Sequence, residues 1–297
     1  MIIVRIVGGL ASQLHKYALG RALALRLGTE LKLDVEWFKS PPPSDTPWPL
    51  QLEKFKLDLT CATPQEVRQV RGNPFWNRIV RWVNRRFTFA FLKSREVNIG
   101  SVTPEQWIKL PDNLYLYGEA FGDTLIRSIR PVLLQEFQLR APLSSEALKY
   151  AELIKAADYA VSVHVRRGDF ISNDSAAEFH AHTELDYYLH AVAVVLRIHK
   201  NAQFFLFTDD PGWVTSHLLP SLPVGSVTVN FLSNEEDFAL MSLCCGNIIA
   251  NSGFSWTAAW LNTSPRRLVI SPKIWFKDED WNAVAMKAMN QPDWIYL

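Results

Sequence analysis

The second half of the chain repeats one pattern, a short apolar run followed by a longer stretch at helical spacing, and that repetition narrows the fold more than any other feature. Five runs, 160–165, 204–208, 227–231, 247–250 and 268–271, are brief and rich in β-branched or aromatic residues. Between them, Leu185, Tyr188, Leu189, Val192, Val195, Leu196 and His199 make one helical stripe, and Phe238, Met241 and Cys245 make another. Strands alternating with helices require crossover connections and a parallel sheet covered on both faces. The expectation is an α/β, Rossmann-like domain.

The start of the chain follows the same logic. Residues 1–7 form a β-branched strand, Gly8 and Gly9 break it, and Leu14, Tyr17, Ala18, Ala22 and Leu25 recur at helical spacing. A second strand is expected at 31–35, and the proline-rich 41–49 is a loop, since proline cannot donate to a ladder. With 297 residues, the length favours two domains, expected at 1–150 and 151–297.

Composition excludes several function classes. Lys and Arg number 31 against 30 Asp and Glu, so the chain lacks the global field of a nucleic-acid binder. No apolar run is long enough to span a bilayer. The first residues lack the basic, apolar and small-residue zones of a secretory signal. Cys61, Cys244 and Cys245 are an odd set with an adjacent pair, poor material for a disulfide framework. A cytoplasmic location is expected. The stretch 68–95 interleaves arginines with Trp76, Trp82, Phe87, Phe89 and Phe91. It reads either as an amphipathic helical region with solvated arginines or as a peripheral contact with anionic membrane or acceptor.

In parallel sheets, ligands bind beyond the carboxyl ends of the strands. Three polar clusters stand there: His164 to Asp169, then Thr208, Asp209 and Asp210, then Asn251, Ser252, Gly253, Phe254 and Ser255. Arginine suits a diphosphate because it binds bidentately and stays charged. Successive strand residues face opposite ways, so only one of Arg166 and Arg167 need touch phosphate, and Arg167 has an alternative partner in Asp169. His164 is either a proton-transfer group or a buried residue that orients the loop or the ligand. Asp209 and Asp210 are placed to hold a ribose or base, or to cap the helix that Pro211 begins. Asn251, Ser252 and Ser255 can cap a helix whose N-terminus is also an anion site. Metal-ligand spacing is absent, His180 and His182 having no further ligands nearby, and there is no phosphate loop with its lysine. A metal-free site is expected.

The run His164-Val165-Arg166-Arg167-Gly168-Asp169 resembles the H-x-R-R-G-D motif of fucosyltransferases that use GDP-fucose. Gly8 to Leu14 with Tyr17-Ala18, Phe207 to Asp210 with Trp213-Val214, and the stretch from Glu236-Asp237 to Trp256 and Ala259-Trp260-Leu261 are similar, in the same order, to motifs of the α1,2-fucosyltransferases, glycosyltransferase family 11. The resemblance implies two Rossmann-like domains facing a cleft, a GT-B-like arrangement, with the acceptor side in 1–150 and GDP-fucose bound mainly by 151–297. It implies metal-independent, inverting transfer to the 2-hydroxyl of a terminal β-galactoside. Arg166 would bind the diphosphate, His164 and Asp237 would help hold the nucleotide, and Ser252, Gly253 and Phe254 would face the phosphates. Gly8 and Gly9 would let backbone approach the fucose, with Gln13 beside them. Asp169 or Asp174 would be the general base, if one is needed. Ala11 and Ser12 replace the family's usual Gly-Asn, and Thr257-Ala258 replaces a common Trp-Gly. The competing readings are a fucosyltransferase of another linkage and a non-catalytic binder of sugar nucleotides or glycans.

Overall fold

The computed structural model describes residues 1–43, 45–72, 75, 79, 95–119, 122–167, 181 and 183–297. The chain divides into two units, Met1–Arg140 and Ala141–Leu297. The division precedes the expected position 150 because the helix Ser145–Ala156 is continuous across that position and belongs wholly to the second unit.

Unit 1 opens with β1 (Ile2–Arg5), α1 (Leu10–Leu27) and β2 (Leu31–Asp34). Helix α2 (Pro64–Arg71) has Thr63 and Glu66 in a reciprocal capping box with proline in its first turn. Strands β3 (Glu96–Asn98) and β4 (Leu114–Tyr117) complete a parallel sheet of order β2-β1-β4-β3. Helix α1 presses close on this sheet. A Cβ on Gly20 would lie 2.8 Å from Leu31 Cδ1 and 3.0 Å from Val4 Cγ1, so only glycine permits that approach. The helix stops at Gly28, which adopts a left-handed conformation (φ 62°) that few other residues tolerate.

Unit 2 holds α3 (Ser145–Ala156), β5 (Tyr159–Val165), α4 (Leu185–Ile198), β6 (Ala202–Thr208), β7 (Val227–Thr228), α5 (Asn234–Leu243), β8 (Gly246–Ile248), α6 (Gly253–Leu261), β9 (Leu268–Ser271), α7 (Glu279–Met289) and β10 (Ile295–Tyr296). The parallel sheet has the order β10-β9-β8-β5-β6-β7. Every residue of β5 is buried. Val161, Val163 and Val165 cluster with Tyr188, Val192 and Val195 of α4. Strand alternation sends Ser162 and His164 to the opposite face. There Asn247 donates to Ser162 Oγ (2.8 Å) and to Met241 O (2.9 Å), and Asn262 donates to Asn247 Oδ1 (2.7 Å), so the buried polar groups of this layer bond to one another.

The expected α/β architecture with two parallel sheets is present. Two expectations move. The strand expected over 227–231 ends at Thr228, and Phe231 is fully exposed with φ 63°. The α5 stripe stops at Leu243, leaving Cys245 beyond the helix. The expected helical or membrane-contacting stretch 68–95 lies mostly outside the described residues; its first residues belong to α2.

Candidate functional site

The sheet of unit 2 runs from β5 outward to β6 and β7, then returns to the other side of β5 as β8, β9 and β10. Strand order therefore reverses between β5 and β8. At such a point the two loops leave in opposite directions and open a crevice. The loop after β5 carries Arg166, and the loop after β8 carries Asn251 and Ser252, so two of the three expected clusters flank the reversal and the third follows the adjacent β6.

Arg166 Nη1 lies 3.1 Å from Asp209 Oδ2, each side chain about a quarter exposed. Asp209 also accepts from the backbone N of Arg167 at 2.8 Å. Its role in the structure is thus to hold the arginine pair, not to stand free for a ribose. Asp210 is the helix cap, accepting from Trp213 N at 3.0 Å. Arg167, like Arg166 beyond the end of β5, takes different partners. Its guanidinium lies 4.3 Å above the Trp213 ring and 3.6 Å from Asp210; the expected partner Asp169 lies outside the described residues. Asp169, the expected catalytic carboxylate, lies outside the described residues together with Asp174, His180 and His182.

His164 is 6% exposed, and its Nδ1 lies 2.9 Å from Ser255 Oγ. Burial, with the nearby Arg166 charge, lowers its pKa to about 3. The imidazole is therefore neutral at physiological pH. Of the two readings open in the sequence, the structure favours the orienting one over proton transfer, because a base that weak takes up no proton near neutrality. The backbone carbonyl of His164 also accepts from Tyr188 Oη at 3.2 Å, tying the strand end to α4.

Ser252 caps α6, accepting from Phe254 N at 3.3 Å, with Gly253 as the first helical residue. The nine-residue α6 aims its N-terminal amides at the reversal. Ser255 bonds inward, to His164 and to Ser252 O (3.3 Å). Asn251 is buried and donates to Ala181 O (2.6 Å) and Trp275 O (3.1 Å), while its Oδ1 has no partner among the described residues.

Asp237 sits in the first turn of α5. Burial, reinforced by Glu236 and Glu235, pushes its carboxyl up to about 7. The residue is half-buried by area, but Oδ1 is fully enclosed and without a partner among the described residues. Ring contacts connect it to the rest: its neighbour Phe238 lies 5.8 Å from Phe254, which lies 5.6 Å from His164. Phe231, two residues ahead of the α5 cap Ser233, passed unnoticed in the sequence because it was counted into a strand. A bulky residue at positive φ is uncommon, and strained positions of this kind cluster at functional sites.

Gly8 and Gly9 form the turn after β1 in unit 1, with Gly8 at φ 81°. A Cβ on Gly9 would touch the Trp48 ring at 3.5 Å. Gln13 is not available to a ligand as expected. It is fully buried, donating to Gly8 O (2.8 Å) and Pro49 O (2.9 Å) and accepting from Gln51 N (2.8 Å). Among the described residues, no group of three His, Cys, Asp or Glu side chains is placed to hold a metal ion, and no helix is long and apolar enough to cross a membrane.

Comparison with known proteins agrees with this geometry. The model of glycosyl transferase family 11 matches residues 113–297. Two Escherichia coli proteins are similar along nearly their whole length. The O-antigen biosynthesis glycosyltransferase WbnK is 28% identical over 98% of both chains, and an alpha-1,2-colitosyltransferase is 28% identical over 95% of both. Among solved structures, the Bradyrhizobium fucosyltransferase NodZ shares the fold with a TM-score of 0.51 at 15% identity, over 88% of this chain and 92% of its own. NodZ has also been crystallised with GDP, as an alpha-1,6-fucosyltransferase.

Proposed function

Because this chain belongs to glycosyltransferase family 11, we propose that it moves fucose from GDP-fucose to the 2-hydroxyl of a terminal β-galactoside, with inversion and without a metal cofactor. The observation that carries the reading is the reversal of strand order in unit 2, flanked by Arg166 on one side and by the capped N-terminus of α6 on the other. A guanidinium fork and helix amides converging there suit a nucleoside diphosphate.

Breaking the sugar–phosphate bond builds negative charge on the departing GDP and positive charge on the ring. The dominant contribution is stabilisation of that leaving group, from Arg166 and the amides of Gly253 and Phe254. Asp209 holds Arg166 in place before the donor arrives. His164, kept neutral, fixes Ser255 and the loop.

The nucleoside is assigned to Asp237 and Phe231. An ionised carboxylate can accept both the ring N–H and the exocyclic N–H of guanine, and an exposed phenyl ring offers the base a stacking face. Asp237 must lose its proton to accept two donors, and its carboxyl titrates near 7, so base affinity rises as pH rises through that value. Guanosine, which carries no phosphate to titrate, is expected to bind about tenfold more tightly at pH 8 than at pH 6. In Asp237→Asn the dependence should be flat; an unaltered pH slope in that variant removes the assignment. Phe231→Ala is expected to weaken GDP binding by about 1–3 kcal/mol, roughly tenfold or more, with the melting temperature unchanged. Calorimetric titration measures both, and undiminished affinity would take Phe231 out of the site.

A second reading of the donor comes from the relative named alpha-1,2-colitosyltransferase. Colitose is fucose without its 3-hydroxyl, so the two nucleotide sugars differ by one polar group. The deciding experiment incubates the protein in chelator with GDP-fucose or GDP-colitose and a panel of β-galactosides, then determines the product linkage by NMR. An α-linked sugar on O2 of galactose is expected. Another linkage corrects the acceptor, and no product from either donor with any acceptor removes the reading.

A further inference from the structure

Unit 1 contains a cavity of about 960 Å3 on the α2 side of its sheet. Its wall includes Arg5 at the end of β1, Asp34 at the end of β2, and Tyr115 and Tyr117 of β4. All pairs of this sheet are parallel, and the cavity lies at the carboxyl ends of β1 and β2, the edge at which open parallel sheets take ligands. Nothing described above uses it.

The charges around the cavity do not cancel. Asp34 accepts from Tyr115 Oη at 2.5 Å and from Glu36 N at 3.1 Å. Glu96 pairs with Arg71 at 2.6 Å, and Glu36 pairs with Lys39 at 2.8 Å. Glu96 and Glu36 are thus paired with cations while Asp34 keeps its charge, so the wall carries Arg5, Lys39, Arg68 and Arg71 against Asp34, Glu36 and Glu96, one positive charge in excess. Arg5 and Arg68 are exposed and have no carboxylate partner among the described residues. Arginines on an open surface are simply solvated, but two unpaired ones lining a single concavity select for negative charge. Trp37 and Tyr117 add aromatic surface to the same wall. Ring faces suit the C–H surface of a sugar, and guanidinium forks suit a carboxylate or phosphate.

We propose that this cavity binds an acidic sugar of the acceptor glycan, a carboxylate- or phosphate-bearing unit, with Arg5 and Arg68 taking the anion. The identity of the ligand as an acceptor rests on the transfer reaction proposed above; the preference for an anion rests on the cavity alone.

The test titrates the full chain, without nucleotide, with methyl β-lactoside and with the same compound bearing a carboxylate or a phosphate at C6 of its glucose unit. At least one anionic probe is expected to bind about tenfold more tightly than the neutral one at low salt, a margin of about 1.4 kcal/mol that shrinks as salt is raised. The better anion tells a uronate from a phosphosugar. The double variant Arg5→Gln/Arg68→Gln should lose the preference while keeping its GDP affinity, and Arg5→Lys/Arg68→Lys should keep part of it. Equal binding of all three probes to the unsubstituted protein overturns the proposal, even if the double variant fails to fold. So does a preference that survives in a folded double glutamine variant. Anion preference without any fucosyl transfer would sink the proposed reaction and leave the cavity assignment standing. Transfer without anion preference would do the reverse.

Discussion

Arg166→Ala is expected to lower kcat by about two to four powers of ten, because the contact it removes strengthens as charge develops on the departing diphosphate. The folded protein should survive the change. Arg166 and its partner Asp209 are each about a quarter exposed, and an ion pair so placed contributes about 1 kcal/mol or less. The loss should therefore appear in turnover with little shift in thermal midpoint. Arg166→Lys restores the charge without the planar fork and should recover only part of the rate. Steady-state kinetics with GDP-fucose, alongside a melting curve, separate these outcomes. A variant with near-normal kcat would show that the guanidinium is not where the charge develops.

Gln13→Ala should give the largest loss of stability among the expected site residues, about 3–5 kcal/mol. Three backbone groups depend on its amide: the carbonyls of Gly8 and Pro49 and the N–H of Gln51. The bond to Gln51 is fully buried and the two carbonyl bonds partly so; leaving a buried group unpaired costs about 1–3 kcal/mol, a partly exposed one less, and the cavity left by the buried Gln13 side chain adds to this. Chemical denaturation reads the loss as a lower midpoint. The opposite pattern, unchanged stability with weakened GDP-fucose binding, would return the amide to the ligand. The substitution also tests how the glycine turn is held, since Gly8 at φ 81° is tied down chiefly through its carbonyl.

The sheet of unit 2 was legible because its strands are apolar on both faces and end in abrupt polar clusters, as in His164 to Arg167 and Asn251 to Ser255. The sheet of unit 1 was only half legible. Strand β3 is three residues long and begins with Glu96, which is tolerated inside because Arg71, twenty-five residues earlier, supplies its partner. No local pattern announces a partner at that distance. Strand β10 has two residues and exists by pairing with β9, again a tertiary fact.

The site divides in the same way. That Arg166 and Arg167 take different partners matches the expectation that only one need touch phosphate, although β5 ends at Val165 and alternation does not fix them. Which of Asp209 and Asp210 capped the helix did not, because both lie within reach of the Pro211 turn and only packing decides. The fate of Gln13 was hidden for a similar reason, since its partners Pro49 and Gln51 lie beyond a proline-rich loop. Phe231 was misread because an aromatic after a β-branched run carries the signature of a strand, whether or not a neighbour is there to pair with it. The cavity of unit 1 draws on five separate segments and leaves no mark in any of them.

The most direct measurement is a crystal structure of the protein with GDP bound. Phosphate oxygens within hydrogen-bonding distance of the Arg166 guanidinium and of the Gly253 and Phe254 amides are the expected result. Well-defined phosphates remote from Arg166, with that side chain still bound to Asp209, would contradict the account.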